Sequence, residues 1–523
     1  MKKAISTNEL NAVIVGAKCS YKYLIGNIIL GRKAFNEVDT TFHCERGEGE
    51  VCDRRVTLVN TPGWLRGYPL CDTAELFKTE TTLSVTLCPP RLHAFLLVIN
   101  AELPYTDVYR KATTEHLEHF FGKKVWEHTI VCFSRRGHLD PETIEHYITK
   151  EGAPARLLLK ACGNRYHVVC ANGENNSVKV QQLFEEIDTM VAENGYYEIE
   201  HRWIESVVEK RKEVNKKAEE LRLQAQQQRQ KLRRLLIEPK SNLRILMVGW
   251  IISGKSFTGN KILRSEAFQS GARTVKVVKQ SGKVDGRDIL VVDTPGWWKF
   301  FPADCTSPVL KSEILEGVAL CSPSPNVILL TLPLDTSFTE EQKRVTQDNL
   351  RLLGNRVWRH TIVLFTYGKT LGPKTVEQYI ESEGEFLRWL IDKCGKRYHV
   401  LGNASDVDDQ VTELLEMMEE MVAGNSSLYI SETNEPEEDQ RASPPKSEYG
   451  MITMKEYLEK LDHDWDQKNW KQSDSMTLII NLDEDRRDDF AEEEMEHQPS
   501  SWNMMKGLLE REWSRREAFV DYY

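Results

Sequence analysis

Sliding the chain against itself by 232 residues lays Val125-Trp-Glu-His-Thr-Ile-Val-Cys-Phe-Ser on Val357-Trp-Arg-His-Thr-Ile-Val-Leu-Phe-Thr. The same shift lays Cys162-Gly-Asn-Arg-Tyr-His-Val on Cys394-Gly-Lys-Arg-Tyr-His-Val. Between 125–152 and 357–384, 15 of 28 positions are identical, against about two expected by chance, so the period is that of a whole domain and not of a short solenoid repeat. Each copy must therefore close its own core. In the second copy, apolar runs at Arg244–Val248, Ile289–Val292, Val327–Leu332, Thr361–Phe365 and Tyr398–Leu401 alternate with amphipathic stretches. That alternation predicts an α/β fold, a mainly parallel sheet with helices on both faces, occurring twice.

The copies differ where chemistry is expected. Gly249-Trp-Ile-Ile-Ser-Gly254-Lys255-Ser256 matches G-x-x-x-x-G-K-[ST] directly after a predicted strand. Such a loop cradles phosphates in backbone N–H groups, with the Lys on the β/γ-phosphates and the Ser hydroxyl on Mg²⁺. Strand Ile289–Val292 then delivers Asp293-Thr294-Pro295-Gly296, whose carboxylate can hold a Mg²⁺-bound water and whose glycine N–H can meet a γ-phosphate. The first copy reads Gly16-Ala-Lys-Cys-Ser-Tyr21-Lys22-Tyr23, with Asn60 in place of Asp293. It is predicted to lack a working phosphate site and to be kept for packing or regulation.

Four segments are expected: a degenerate domain at 8–200, a helical linker at 201–240, an intact domain at 241–425 and an acidic, partly disordered tail at 426–523 with short amphipathic helices at Met451–Leu461 and Trp502–Phe519. Residues His201–Leu236 contain no Gly or Pro and carry a seam through Ile204, Val207, Arg211, Val214, Ala218, Leu221, Ala225, Gln228, Leu232 and Leu235. Two readings stand: a coiled coil or basic membrane-surface helix, or a stripe packed on its own domain. The net charge of -11 is concentrated in the tail, where 25 Asp/Glu face 12 Lys/Arg from Ser431 on. The body is near neutral, which argues against a nucleic-acid partner. The 11 cysteines form no C-x-x-C pair, as expected in a reducing cytosol. The N-terminus lacks the apolar core of a signal peptide, and no apolar run is long enough to span a bilayer. The pairs His116/His119 and His138/His146 lack companion ligands at metal spacing, and His128 and His360 sit at matching places before a strand, so structural roles are expected for all of them.

The segments Gly254-Lys-Ser-Phe-Thr-Gly259-Asn260-Lys-Ile-Leu, Val291-Val-Asp-Thr-Pro-Gly-Trp297, Phe338-Thr339-Glu-Glu and Cys394-Gly-Lys-Arg-Tyr-His resemble those of the AIG1-type (immunity-associated, GIMAP/IAN) GTPases. The resemblance implies two tandem Ras-like P-loop domains that bind GTP or GDP with Mg²⁺. It implies nucleotide contacts from Gly249, Ser253, Gly254, Lys255, Ser256, Phe257, Asp293, Gly296 and Asn403, and Mg²⁺ ligation by Ser256, Asp293 and Thr274. Val275 competes with Thr274 because the alignment slips by one there. It further implies a nucleotide-dependent assembly switch, partners that are related G domains in homo- or hetero-oligomers, and a cytoplasmic location with peripheral membrane attachment in some members. Departures accompany it: Ile252 replaces a loop glycine, Phe365-Thr-Tyr-Gly-Lys369-Thr370-Leu has no carboxylate to read guanine, and Ser337 replaces an Arg that could assist hydrolysis across a dimer. At most a slow GTPase is expected, with no catalytic side chain assigned. The alternatives are a non-catalytic scaffold built from two pseudo-GTPase domains and an NTPase of relaxed base specificity. In the first copy only Thr41 fits the family's switch Thr.

Overall fold

A computed structural model describes residues 8–36, 42–135, 141–170, 176–235, 242–270, 274–299, 306–402 and 407–425. The first domain comprises β1 (Glu9–Gly16), α1 (Lys22–Leu30), β2 (Glu45–Val51), β3 (Arg54–Asn60), α2 (Glu75–Leu83), β4 (Ala94–Asn100), α3 (Asp107–Phe121), β5 (Thr129–Arg135), α4 (Pro141–Glu151), α5 (Ala153–Ala161), β6 (Tyr166–Cys170) and α6 (Asn176–Asn194). Helix α7 (His201–Arg233) follows. The second domain repeats the plan with β7 (Asn242–Gly249), α8 (Lys255–Leu263), β8 (Val278–Val284), β9 (Arg287–Asp293), α9 (Pro308–Leu320), β10 (Val327–Pro333), α10 (Glu340–Arg351), β11 (Thr361–Thr366), α11 (Val376–Glu383), α12 (Glu385–Lys393), β12 (Tyr398–Val400) and α13 (Val407–Gly424). The helix expectations within the tail lie outside the described residues.

Each sheet has six strands, in the orders β2-β3-β1-β4-β5-β6 and β8-β9-β7-β10-β11-β12. All neighbours are parallel except the hairpins β2/β3 and β8/β9. The central strands β4 and β10 are buried along their whole length, which is why they read as unbroken apolar runs: both sheet faces are covered by helices. The second hairpin turns on Asp285-Gly286, both at positive φ, the backbone that a two-residue turn between twisted strands requires.

Helix α7 lays its seam within the chain. Val207, Ala218 and Leu221 are buried, and the helix packs against α2 of the first domain and α11 and α13 of the second. Lys210 pairs with Glu75 at 3.2 Å, and Arg229 pairs with Glu420 at 2.9 Å. The domains also touch directly. Phe42 stacks on Tyr379 (6.3 Å between ring centroids, 7° between planes), and Lys374 pairs with Glu80 at 2.7 Å. Leu76 on α2 is 4 % exposed beneath this contact, whereas Val309, its equivalent on α9, is 69 % exposed. The same helix face is therefore covered in one copy and open in the other.

Candidate functional site

Strand β7 ends at Gly249, where the chain turns sharply into α8. A Cβ at Gly249 would lie 2.5 Å from Thr331 Oγ1 and 2.6 Å from Thr331 O. Only glycine allows that close approach to the neighbouring strand. Gly254 sits at the N-cap of α8 with φ +81°. Ile252 is also left-handed, at φ 57°. That backbone costs a β-branched residue about 1–2 kcal/mol. Two hydrogen bonds fix the turn. Ser253 Oγ and Thr331 Oγ1 are 2.6 Å apart, and Thr366 Oγ1 donates to Ser253 O at 2.9 Å. Lys255 is buried, its Nζ donating to Trp250 O at 2.8 Å. Phe257, one residue past Ser256, is half-buried, with Lys261 Nζ 5.0 Å from the centre of its ring.

Three oxygens converge at the start of α8. Ser256 Oγ donates to Asp293 Oδ2 at 2.6 Å, Thr274 Oγ1 donates to the same oxygen at 3.0 Å, and the two hydroxyls are 3.1 Å apart. The alignment left Thr274 and Val275 in competition; it is Thr274 that enters the cluster. Asp293 is buried, and its Oδ1 has no hydrogen-bond partner. Burial pushes the carboxyl upward, opposed by Lys255 and by the bonds from Ser256 and Thr274. A carboxylate with an orphaned buried oxygen beside two hydroxyls is a hard, all-oxygen donor set of the kind Mg²⁺ takes.

Gly296 presses on the phosphate loop. Ile251 N–H donates to Trp297 O at 2.8 Å, Trp297 N–H donates to Gly249 O at 3.3 Å, and a Cβ on Gly296 would lie 2.5 Å from Ile251 N. Asn403, the expected base contact, lies outside the described residues, as do Thr41 and His138. The base loop before it is described: Tyr367, at φ 59°, donates from its hydroxyl to Ile252 O at 3.2 Å. Gly368 N–H donates to Leu401 O at 3.2 Å.

The first copy keeps the loop's backbone and not its chemistry. Cys19 and Tyr21 are left-handed at φ 62° and 59°, like Ile252 and Gly254. Lys22 Nζ reaches Ala17 O at 3.4 Å, the counterpart of the Lys255 bond. Tyr21 OH donates to Glu102 at 3.2 Å, and Asn60 Oδ1 is buried without a partner. Of the histidines, His116 is held inside the core. His116 sits between Thr73 Oγ1 (2.7 Å) and Ala112 O (2.6 Å), stacked on Trp64, and burial lowers its pKa to about 3.

Two six-stranded, mostly parallel α/β units, each with a phosphate-loop turn between its first strand and first helix, define tandem P-loop GTPase domains. The sequence model of the AIG1 family matches residues 10–221 and 243–448. The chain belongs to the AIG1 family. It is similar to human GTPase IMAP family member 8, 26% identical over 421 residues that cover 78% of this chain and 56% of that protein. Immune-associated nucleotide-binding protein 9 of Arabidopsis thaliana is 34% identical over 207 residues, 37% of this chain and 58% of that one. The chain spans about half the length of the IMAP relatives it matches. Among solved structures, Toc33 from Arabidopsis thaliana in complex with GDP and Mg²⁺ is matched at 17% identity over 40% of this chain and 93% of that one, with a TM-score of 0.30.

Proposed function

We propose that the second domain binds GTP and GDP with Mg²⁺, and that the chain works as a nucleotide-dependent assembly switch with slow or no hydrolysis. The observation that carries this reading is the convergence of Ser256, Thr274 and Asp293 at the mouth of an intact phosphate loop. In this reading those three residues hold the metal, and Lys255 turns from Trp250 O to the phosphates. The loop from Gly249 through Ser253 and Gly254 to Phe257 presents its N–H groups at the positive end of α8, and Gly296 N–H faces the terminal phosphate. Bound Mg²⁺ would neutralise charge between the β- and γ-phosphates. Asn403 is the proposed base contact, the assembly partner is a related G domain, and the compartment is the cytoplasm.

Ser337 favours the slow end of the rate range. It is buried and hydrogen-bonded to the first domain, so its side chain brings no charge to the site. Equilibrium dialysis of the full chain tests the binding: micromolar affinity for GDP and GTP with Mg²⁺, abolished by Lys255→Ala, is expected. No binding at high micromolar nucleotide rejects the proposal. Phosphate release that depends on Lys255 and runs at many turnovers per minute rejects the slow-switch part, and equal competition by ATP rejects the guanine preference.

A further inference from the structure

Two segments of the first domain reach loops that touch the second domain's phosphate loop. The first begins at Phe42, whose N–H donates to Thr370 O at 2.6 Å in the base loop and whose ring stacks on Tyr379 just beyond it. Tyr379 in turn packs on Phe365 at the end of β11 (5.9 Å between centroids). The same base loop reaches the phosphate loop through the Tyr367 hydroxyl on Ile252 O. The second segment is Cys71–Asp72. Ser337 N–H donates to Asp72 O at 3.0 Å, and Ser337 Oγ donates to Cys71 O at 3.0 Å. On its other side, Ser337 O accepts from the fully buried Lys299 Nζ at 3.2 Å, and that ammonium lies 4.9 Å from the centre of the Trp250 ring. Glu383 fastens the second of these contacts, one oxygen accepting from Glu75 N–H (2.8 Å), shortly after Cys71–Asp72, and the other from Phe338 N–H (3.0 Å), next to Ser337.

These contacts give the degenerate copy a task that needs no nucleotide. We propose that the first domain is a positioning partner for the second domain's nucleotide site: by holding the base loop through Phe42 and the Ser337–Lys299 segment through Cys71–Asp72, it sets the affinity of the second domain for its nucleotide. The base loop of this chain has no carboxylate to fix the base, and besides its bonds within the second domain it is held from the first domain by Phe42. Ser337 is turned inward on the chain's own first domain. Phe42 is thus a positioning residue that acts through Thr370 and Tyr379. The inference rests on the reading that the second domain binds guanine nucleotide.

The test titrates the full chain with a fluorescent GDP analogue in Mg²⁺ and, separately, measures competition by Mg²⁺-pyrophosphate, which engages the phosphate loop and makes no base contact. Phe42→Ala is expected to weaken GDP about tenfold while leaving pyrophosphate competition unchanged, and Phe42→Tyr is expected to restore GDP affinity to within about twofold, corresponding to no more than about 0.4 kcal/mol. Glu80→Gln removes the Lys374 ion pair without opening a cavity. It is expected to weaken GDP about threefold, and it decides the matter if Phe42→Ala does not fold. Wild-type GDP affinity in folded Phe42→Ala, or in Glu80→Gln where that variant decides, overturns the inference and leaves nucleotide binding standing. Equal weakening of GDP and pyrophosphate also overturns it, because a general loss of stability would do that. Failure of the wild-type chain to bind GDP removes the functional reading and this inference with it.

Discussion

Glu383→Gln should change how stability depends on pH, and the structure gives both sign and size. Glu75 opens α2, whose N-cap residue, Ala74, offers no side-chain cap. Glu383 supplies the missing carboxylate from the other domain, at the positive end of that helix. Burial pushes its carboxyl up to about 7 from the ordinary 4.5, with the two N–H bonds pulling the other way. A raised value means that, between about pH 4.5 and 7, the folded chain holds a proton that the unfolded chain has released. Stability from this group is therefore greatest below about pH 4.5, falls as pH rises through that window, and is gone above about pH 7. At 1.36 kcal/mol per pH unit the gap is worth at most about 3.4 kcal/mol. Glu383 as a residue is only half-buried, which brings the expected swing to about 2 kcal/mol. Gln cannot ionise, and it aims an NH₂ at one of the two N–H donors, costing about 1–3 kcal/mol at every pH. Urea unfolding of both full-length proteins from pH 5 to pH 8 measures the difference, in which histidines and other carboxylates cancel. The wild-type advantage should shrink by about 2 kcal/mol across that range. Parallel profiles would refute the assignment of a raised carboxyl at this position.

Two further substitutions probe the site itself. Asp293→Asn should raise the melting temperature of the nucleotide-free chain, because a buried carboxylate with an unpartnered oxygen becomes neutral, and it should erase the Mg²⁺-dependent rise on adding GDP; persistence of that rise counts against Asp293 in metal binding. Gly296→Ala places a Cβ 2.5–2.6 Å from backbone atoms of Trp250 and Ile251 and must part the two hydrogen bonds between Trp297 and the phosphate loop. Strain and lost bonds together should cost about 2–5 kcal/mol, against about 1 kcal/mol for Gly286→Ala, where φ is +79° and the space is open. Equal melting temperatures for the two glycine variants would show that this contact is not tight.

How legible each part was depends on whether packing is periodic. Strands β7 and β9 to β12 are apolar because helices cover both faces, so runs such as Val327–Leu332 announced them. Strands β2 and β8, Glu45-Arg-Gly-Glu-Gly-Glu-Val and Val278-Lys-Gln-Ser-Gly-Lys-Val, are polar edge strands, the first mostly half-buried and the second largely exposed, and only the Asp285-Gly286 turn hints at the second. Gly249, Lys255, Ser256 and Asp293 were readable because phosphate binding demands fixed residue types at fixed spacing. Thr274 was readable only to within one residue of Val275, since its segment lies outside regular structure, and distances of 3.0–3.1 Å to the cluster select it. The seam of α7 was readable as apolar, but not what it faced. Phe42, Ser337 and Glu383 were invisible as contacts, because docking between domains follows shape and pairs residues up to 308 apart with no repeating pattern.

The persistence of loop geometry in the first copy shows what holds such a loop. Tyr21 and Cys19 keep left-handed backbone although neither is glycine, at a cost of about 1–2 kcal/mol each. The packing that imposes it is shared by both copies. Lys18 N–H bonds to Trp64 O as Ile251 N–H bonds to Trp297 O, and Ser134 Oγ bonds to Ser20 O as Thr366 Oγ1 bonds to Ser253 O. The loop is thus set by the strand on either side of it and by the Trp that follows the Pro-Gly turn, and phosphate binding is a use of that geometry and not its cause. A domain with Tyr21, Tyr23 and Asn60 at the places of Gly254, Ser256 and Asp293 keeps the frame that carries Phe42 and Cys71–Asp72.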